Sequence, residues 1–236
     1  MNVSMKRVGA IFVKDWKDLM RNSYVLFTVF MPVVFAAILG RMGMENPGMF
    51  MLPINMALVM CAAFVQASMI AEEKEKNTLR GLMLSPASTL DIFIGKSVLT
   101  GAVTIVVIIL SIWLSEVQLT GIAPLSIAIL FSLIAYISIG TIIGLLSRNV
   151  METGIVGMPV LVVFLGSSFI MQIVENEFIK KMLSYLPNEQ LSSMAVQLHG
   201  GAAFGEVTSQ LAVIAVWAVV SIALTVVMYK KSAADK

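Results

Sequence analysis

Six stretches of this chain contain no Asp, Glu, Lys or Arg, and each is long enough to cross a lipid bilayer. A transmembrane helix needs about 20 mostly apolar residues, because every backbone polar group must be paired within the hydrocarbon core. The sequence therefore predicts an all-α, polytopic membrane protein with six transmembrane helices. The predicted spans are Ser23–Gly40, Met51–Ile70, Ser97–Ser115, Ile122–Leu146, Ile155–Val174 and Val207–Tyr229.

The overall composition excludes an ordinary soluble fold. Hydrophobic residues make up 58% of the chain and charged residues 13%, whereas soluble domains average about 45–50% and about 25%. Six spans with short connections use nearly all of the 236 residues. We therefore expect no separate catalytic domain.

Basic residues fall mainly on one side of the predicted membrane, by 13 to 3. Lys and Arg are enriched in cytoplasmic loops, so the bias predicts that both termini and the loops after the second and fourth spans are cytoplasmic. The larger set is Lys6, Arg7, Lys14, Lys17, Arg21, Lys74, Lys76, Arg80, Lys96, Arg148, Lys230, Lys231 and Lys236, and the smaller set is Arg41, Lys180 and Lys181.

The chain divides into three predicted parts. Residues 1–22 form an amphipathic interfacial helix on the cytoplasmic surface, since their apolar side chains recur at helical spacing opposite basic ones. Residues 23–229 form the transmembrane domain, and residues 230–236 form a basic cytoplasmic tail. The apolar positions of the interfacial helix are Met5, Val8, Ile11, Phe12, Leu19 and Met20.

Two connections inside the transmembrane domain carry further information. The cytoplasmic loop 71–96 begins with dense charges that extend the second helix, and Ser85 followed by Pro86 should end it. Ser88 and Asp91 resemble a capping box that starts the next helix. The external segment 175–206 is too polar to span, and we expect short helices there that re-enter or cap the outer surface.

No motif in the chain predicts catalysis or metal binding. Gly95, Lys96 and Ser97 look like the end of a phosphate-binding loop, but that motif requires a glycine where Leu90 stands. We therefore expect Lys96 at the lipid headgroups. The predicted spans contain no acidic residue, and His199 is the single histidine, so a membrane protease, a metalloenzyme or an ion-coupled transporter is disfavoured. The energy for any transport should come from outside the chain.

Small and polar residues within the spans predict helix contacts. Gly140 and Gly144 form a G-x-x-x-G pair, which favours close helix packing within the subunit and leaves a subunit interface as the alternative. Asn55 and Gln66 should form interhelical hydrogen bonds. For Pro159, a role in a substrate path and simple packing both remain open.

The segment AEEKEKNTLRGLMLSPAS, residues 71–88, carries a family resemblance. With six spans and an amphipathic N-terminal helix, the chain resembles the ABC-2 type permease family, the membrane subunits of one class of ATP-binding-cassette exporters. The family pattern has a charged run, Gly-Thr-Leu, a hydrophobic pair and Ser-Pro. Asn77 departs from the glycine of that pattern, while Thr78 and Leu79 keep its register.

The resemblance implies that the cytoplasmic loop docks on a separate ATP-binding subunit, which holds the ATP and Mg, whereas this chain binds no cofactor. It also implies a second permease copy, identical or related, with the substrate path between the two lined largely by second and fifth spans. The coupling residues would be Glu72, Glu73, Lys74, Glu75, Lys76, Thr78, Leu79, Arg80, Leu82, Ser85 and Pro86. The path residues would be Met56, Met60, Phe64, Pro159 and Val163.

Two functions follow as hypotheses from the sequence. The first is a non-enzymatic permease subunit, in a cell membrane and most simply the bacterial plasma membrane, with lipid and protein but no nucleic acid as partners. Its cargo would be an amphiphilic or hydrophobic compound such as a drug, an antimicrobial peptide or a lipid-like molecule, because the predicted spans carry no fixed charge in their interiors. The alternative is a membrane-embedded sensor, immunity or scaffold protein without transport activity.

Overall fold

A computed structural model describes residues 5–42, 47–76, 89–116 and 119–234, and all regular structure in these residues is helical. Six helical stretches are long and apolar enough to cross a membrane, which confirms the all-α class and the predicted number of spans. The helices are α1 (Met5–Leu19), α2 (Ser23–Arg41), α3 (Pro47–Met56), a π-helical segment (Ala57–Val65), α4 (Gln66–Glu75), α5 (Thr89–Leu114), α6 (Ile122–Leu146), α7 (Val150–Ile173), α8 (Glu177–Ser184), α9 (Pro187–His199), a 3₁₀ turn (Phe204–Val207) and α10 (Thr208–Ala234).

The second span, made of α3, the π-helical segment and α4, lies at the centre of the bundle. In its most apolar stretch 72% of the residues are buried, compared with 17% in α7 and 22% in the sixth span. Helices α2, α5, α6 and α7 contact it. Consequently α7 and α10 keep broad apolar faces that lipid or another subunit can cover.

Two glycines of α6 let the central span approach closely. A Cβ atom at Gly140 would lie 2.2 Å from the carbonyl oxygen of Ala63, and one at Gly144 would lie 2.7 Å from that of Ala67. Neither position has room for a side chain. The G-x-x-x-G pair therefore packs two spans of the same subunit, as the sequence predicts.

A buried polar network joins three spans in the middle of the bundle. The Gln66 side-chain amide donates to the Thr141 hydroxyl at 3.1 Å, and the Thr100 hydroxyl donates to the Gln66 carbonyl oxygen at 2.6 Å. All three residues are fully buried. The predicted interhelical hydrogen bond of Gln66 is thus confirmed, and it satisfies a polar side chain that would be costly to leave unpaired in an apolar core.

The bundle has two ends, which we name by the helices that mark them. At the α1 end, the end of α4 meets the end of α6, where the Lys74 amine donates to the Leu145 carbonyl oxygen at 2.7 Å. At the α9 end, Gly121 at the start of α6 lies against Leu198 of α9. Short helices do form in the segment 175–206. Which end faces the cytoplasm stays a prediction.

Candidate functional sites

A group of four charged side chains, three of them buried and Lys14 45% exposed, lies at the α1 end. We call Lys14, Asp15, Glu73 and Lys96 the charge cluster. The Lys96 amine donates to an Asp15 carboxylate oxygen at 3.0 Å and to a Glu73 carboxylate oxygen at 3.1 Å. Lys14 also donates to Glu73. The side chains of Asp15, Glu73 and Lys96 are at most 3% exposed. The charge cluster therefore fixes α1 to the ends of both helices that flank residues 77–88.

This arrangement corrects the expectation for Lys96, which does not extend toward lipid headgroups because α1 packs over it. The predicted coupling residue Glu73 is buried under α1 as well. Gly95 makes that packing possible, since a Cβ atom there would lie 2.9 Å from Cγ2 of Ile11. The Gly-Lys-Ser triplet is thus a helix-packing and ion-pairing feature of this fold.

The charge cluster is electrically balanced, with two amines and two carboxylates. Burial lowers the pKa of Lys14, but its hydrogen bond and charge attraction to Glu73, together with Asp15, outweigh burial and leave that pKa raised. Lys14 therefore stays charged at neutral pH. Buried ions of this kind cost several kcal/mol each to desolvate, so each depends on its partners.

The other charged residues at the end of α4 point in different directions. Glu72 accepts an ion-paired hydrogen bond from Lys76 at 2.5 Å, and Lys76 is 55% exposed. Lys74 turns inward and donates to the carbonyl oxygens of Leu145 and Ser147 at the end of α6. The exposed part of this predicted coupling surface, within the described residues, is consequently the Glu72–Lys76 pair and its neighbour Glu75.

Glu75 links the second span to the fifth. Its carboxylate accepts the backbone N–H of Val150, the first residue of α7, at 3.1 Å. The end of α4 thus contacts both α6 and α7, so a force applied there reaches both helices. The remaining predicted coupling residues, Thr78, Leu79, Arg80, Leu82, Ser85 and Pro86, lie outside the described residues.

The predicted path residues do not share one surface within the single chain. Met56 and Phe64 are buried, and the Phe64 ring occupies the space above Gly157 of α7, where a Cβ atom would lie 2.6 Å from the ring. Pro159 is exposed on α7, while Met60 and Val163 are partly buried. Their role in a path stays a prediction.

The middle of the second span is π-helical from Ala57 to Val65, and Met60 and Phe64 belong to it. This feature is not predicted from the sequence, because an uninterrupted apolar run carries no signal that separates π from α hydrogen bonding. Such segments are rare and occur frequently at functional sites. The segment also has a packing role here, since seven of its nine residues are at most 1% exposed.

A second candidate site, the α9 cleft, is a cavity of about 380 Å³ at the α9 end. Residues from 48–55 of the second span, 164–172 of α7 and 188–196 of α9 line it. Its volume lies in the range of small-molecule sites, about 300–1,000 Å³. Asn55 lines it and donates to the Ser192 hydroxyl at 2.9 Å, which confirms the predicted interhelical hydrogen bond of Asn55.

Glu189, in the first turn of α9, brings a carboxylate against the fifth span. One of its oxygens accepts from the Ser167 and Ser168 hydroxyls of α7, the latter at 2.6 Å, and from the Asn188 amide at 3.1 Å. Glu189 is not among the site residues predicted from the sequence, because it lies outside the predicted spans, which hold no acidic residue. The Pro-Asn-Glu start of α9 signals a helix N-terminus, yet nothing in it says which span α9 packs against.

The acidic, histidine and cysteine side chains of the described residues do not group together as metal ligands would. Within residues 5–42, 47–76, 89–116 and 119–234, no group of three or more His, Cys, Asp or Glu side chains is arranged to hold a metal ion. The single cysteine, Cys61, is buried and unpaired by disulfide. The arrangement instead combines a helix-end contact surface at one end with a ligand-sized cleft at the other.

Comparison with known protein families gives one result. A family model described as ABC-2 family transporter protein matches residues 41–227, which spans α3 through most of α10 and includes the α9 cleft. Among curated proteins, no match to the chain is found. The matched region covers well over half of the chain.

Proposed function

This chain belongs to the ABC-2 transporter family, and we propose that it is the membrane-spanning permease of an ATP-driven exporter. The family match over residues 41–227 carries the proposal. ATP and Mg would bind a separate ATP-binding subunit, since the sequence lacks the glycine that a phosphate-binding loop requires at position 90. Two permease copies would pair in a cell membrane through the exposed faces of the fifth and sixth spans.

The contacts at the α1 end support a coupling role for the loop after the second span. The end of α4 contacts α6 through Lys74 and α7 through Glu75. Through Lys96, two turns into α5, the charge cluster ties that helix to the same place. A partner that pushes on residues 72–88 would therefore move four spans together, which is the behaviour that transmission from an ATPase requires.

We expect Lys76→Glu to abolish ATP-dependent efflux while leaving the amount of folded protein unchanged. Lys76 is exposed and pairs only with Glu72 among the described residues, and a surface ion pair contributes about 0–1 kcal/mol to stability. At a docked interface the same reversal creates like-charge contacts, where close pairs are worth about 1.5–7 kcal/mol. The measurements are dye or drug efflux and co-purification of the ATP-binding subunit.

The matched control is the charge swap Glu72→Lys with Lys76→Glu, which restores the local ion pair but keeps the surface charges reversed. If the ATP-binding subunit docks on this surface, the double variant should transport no better than Lys76→Glu alone. Full transport by both variants would contradict the coupling role of the Glu72–Lys76 surface. No association of the ATP-binding subunit with the unmodified chain would contradict the proposed function.

The predicted orientation can be tested by labelling introduced cysteines in intact cells. The natural thiol of Cys61 is buried, so an added cysteine becomes the reactive one. With a membrane-impermeant maleimide, Gly200→Cys should label and Lys76→Cys should not, whereas both should label after lysis. The reverse pattern would show that both termini are outside the cell.

A further inference from the structure

We propose that the α9 cleft binds the positively charged group of an organic cation, with Glu189 as its counter-ion. This inference rests on the proposed function, because it names the class of compound that the permease would export. It is carried by an excess of hydrogen-bond acceptors in a ligand-sized cavity that has no basic side chain among its described lining residues.

The acceptor excess can be counted from the hydrogen bonds. All three donors that reach Glu189 bind the same carboxylate oxygen, so the second oxygen has no donor among the described residues. The side-chain carbonyl oxygens of Asn55 and Asn188 also have no partner there, although these side chains are 7% and 3% exposed. A buried acceptor without a donor loses its hydrogen bonds to water without replacement, and a ligand with donors or positive charge would offset that cost.

The walls of the cleft favour a bulky, weakly hydrated cation. Leu52, Phe164, Leu165 and Phe169 contribute apolar surface, and aromatic rings attract organic cations through their faces. Among its described lining residues there is no Lys, Arg or His, and Glu189 is the one carboxylate. A single carboxylate in an apolar setting is a poor site for a divalent metal ion, which prefers several charged oxygen ligands.

The cleft is accessible from the surface of the bundle. Phe169 and Met49 on its rim are 59% and 39% exposed. Glu189 itself is partly buried, so its charge is screened less than that of a fully exposed carboxylate. An amphiphile could place its charged group at Glu189 and its apolar part along the exposed face of α7.

The test uses the purified full chain in dodecyl maltoside, without the ATP-binding subunit. Equilibrium dialysis measures binding of tetraphenylphosphonium and of its anionic isostere tetraphenylborate, with protein-free micelles as the blank. We expect the chain to prefer the phosphonium. Glu189→Gln keeps an oxygen for the serine hydroxyls but removes the charge, and it should weaken phosphonium binding about tenfold or more.

Two further variants separate a charge effect from a structural one. Glu177→Gln removes an exposed carboxylate of the neighbouring helix α8 and should leave binding unchanged. Ser193→Lys adds a cation at the exposed rim and should weaken phosphonium binding without disturbing the contacts of Glu189. Equal affinity of the unmodified chain for both ions, or unchanged phosphonium binding in folded Glu189→Gln and Ser193→Lys, would overturn the proposal.

Competition identifies the source of the cation. Displacement of the phosphonium by benzyltrimethylammonium alone indicates a free organic cation, whereas displacement by dihexanoyl phosphatidylcholine indicates a lipid headgroup. Displacement by neither would also overturn the proposal. Binding is measured without ATP or the ATP-binding subunit, so a failure of transport would refute the proposed function and leave the measured cation binding unaffected. Efflux without a preference for cations would refute the cation site alone.

Discussion

Glu73→Lys is expected to remove most of the folded protein from the membrane, and not simply to uncouple it from an ATPase. The substitution would place a third amine beside Lys14 and Lys96, leaving Asp15 as the single carboxylate of the charge cluster. Breaking a buried ion pair by removing one partner costs about 3–5 kcal/mol, and like charges add to that cost. The measurement is the amount of monodisperse protein after detergent extraction, with the melting temperature of what remains.

Glu75→Lys is the matched control, because the same substitution two residues later changes an exposed carboxylate. It should leave abundance near normal, with at most a small loss from its hydrogen bond to Val150. The double variant Glu73→Lys with Lys96→Glu should recover part of the lost stability by reversing one pair. Normal abundance of Glu73→Lys would mean that Glu73 and Lys96 do not form a buried pair.

The sequence alone predicts the spans well, because each segment that crosses a bilayer must itself be apolar and long enough, whatever it packs against. A run such as residues 122–146 has no charge and enough length, so the predicted and observed helices Ile122–Leu146 coincide. Spacing also predicts the close contact at Gly140. These features depend on residues that are near one another in the chain.

The site residues that the sequence misses depend on packing between distant segments. A lysine at a membrane boundary is normally solvated, so only the position of α1, 81 residues away from Lys96, reveals its pairing with Asp15. Glu189 reaches Ser167 across a turn and an intervening helix, at a separation of 22 residues. No local pattern encodes either contact, although both residues change what each end of the bundle can do.

Gly140→Ala is expected to destabilise the bundle, whereas the same change at Gly166 is expected to be neutral or slightly stabilising. Within a helix, alanine is favoured over glycine by about 0.5–1 kcal/mol. Both substitutions therefore increase the intrinsic stability of their helix. At Gly166 the added methyl group would meet only Cδ1 of Ile170, at 3.7 Å. No new steric contact should therefore cancel the increase in helix stability at Gly166.

At Gly140 the added methyl group would lie 2.2 Å from the carbonyl oxygen of Ala63, a backbone atom that cannot rotate away. The second span must move outward, and overpacking of this kind costs typically about 1–3 kcal/mol and sometimes more. That movement would also disturb the hydrogen bond between Thr141, the residue after Gly140, and Gln66, which lies one turn beyond Ala63 in the second span. Thermal unfolding in detergent should therefore give shifts of opposite sign for Gly140→Ala and Gly166→Ala, and a melting temperature unchanged by Gly140→Ala would show that α6 and the second span are not in contact there.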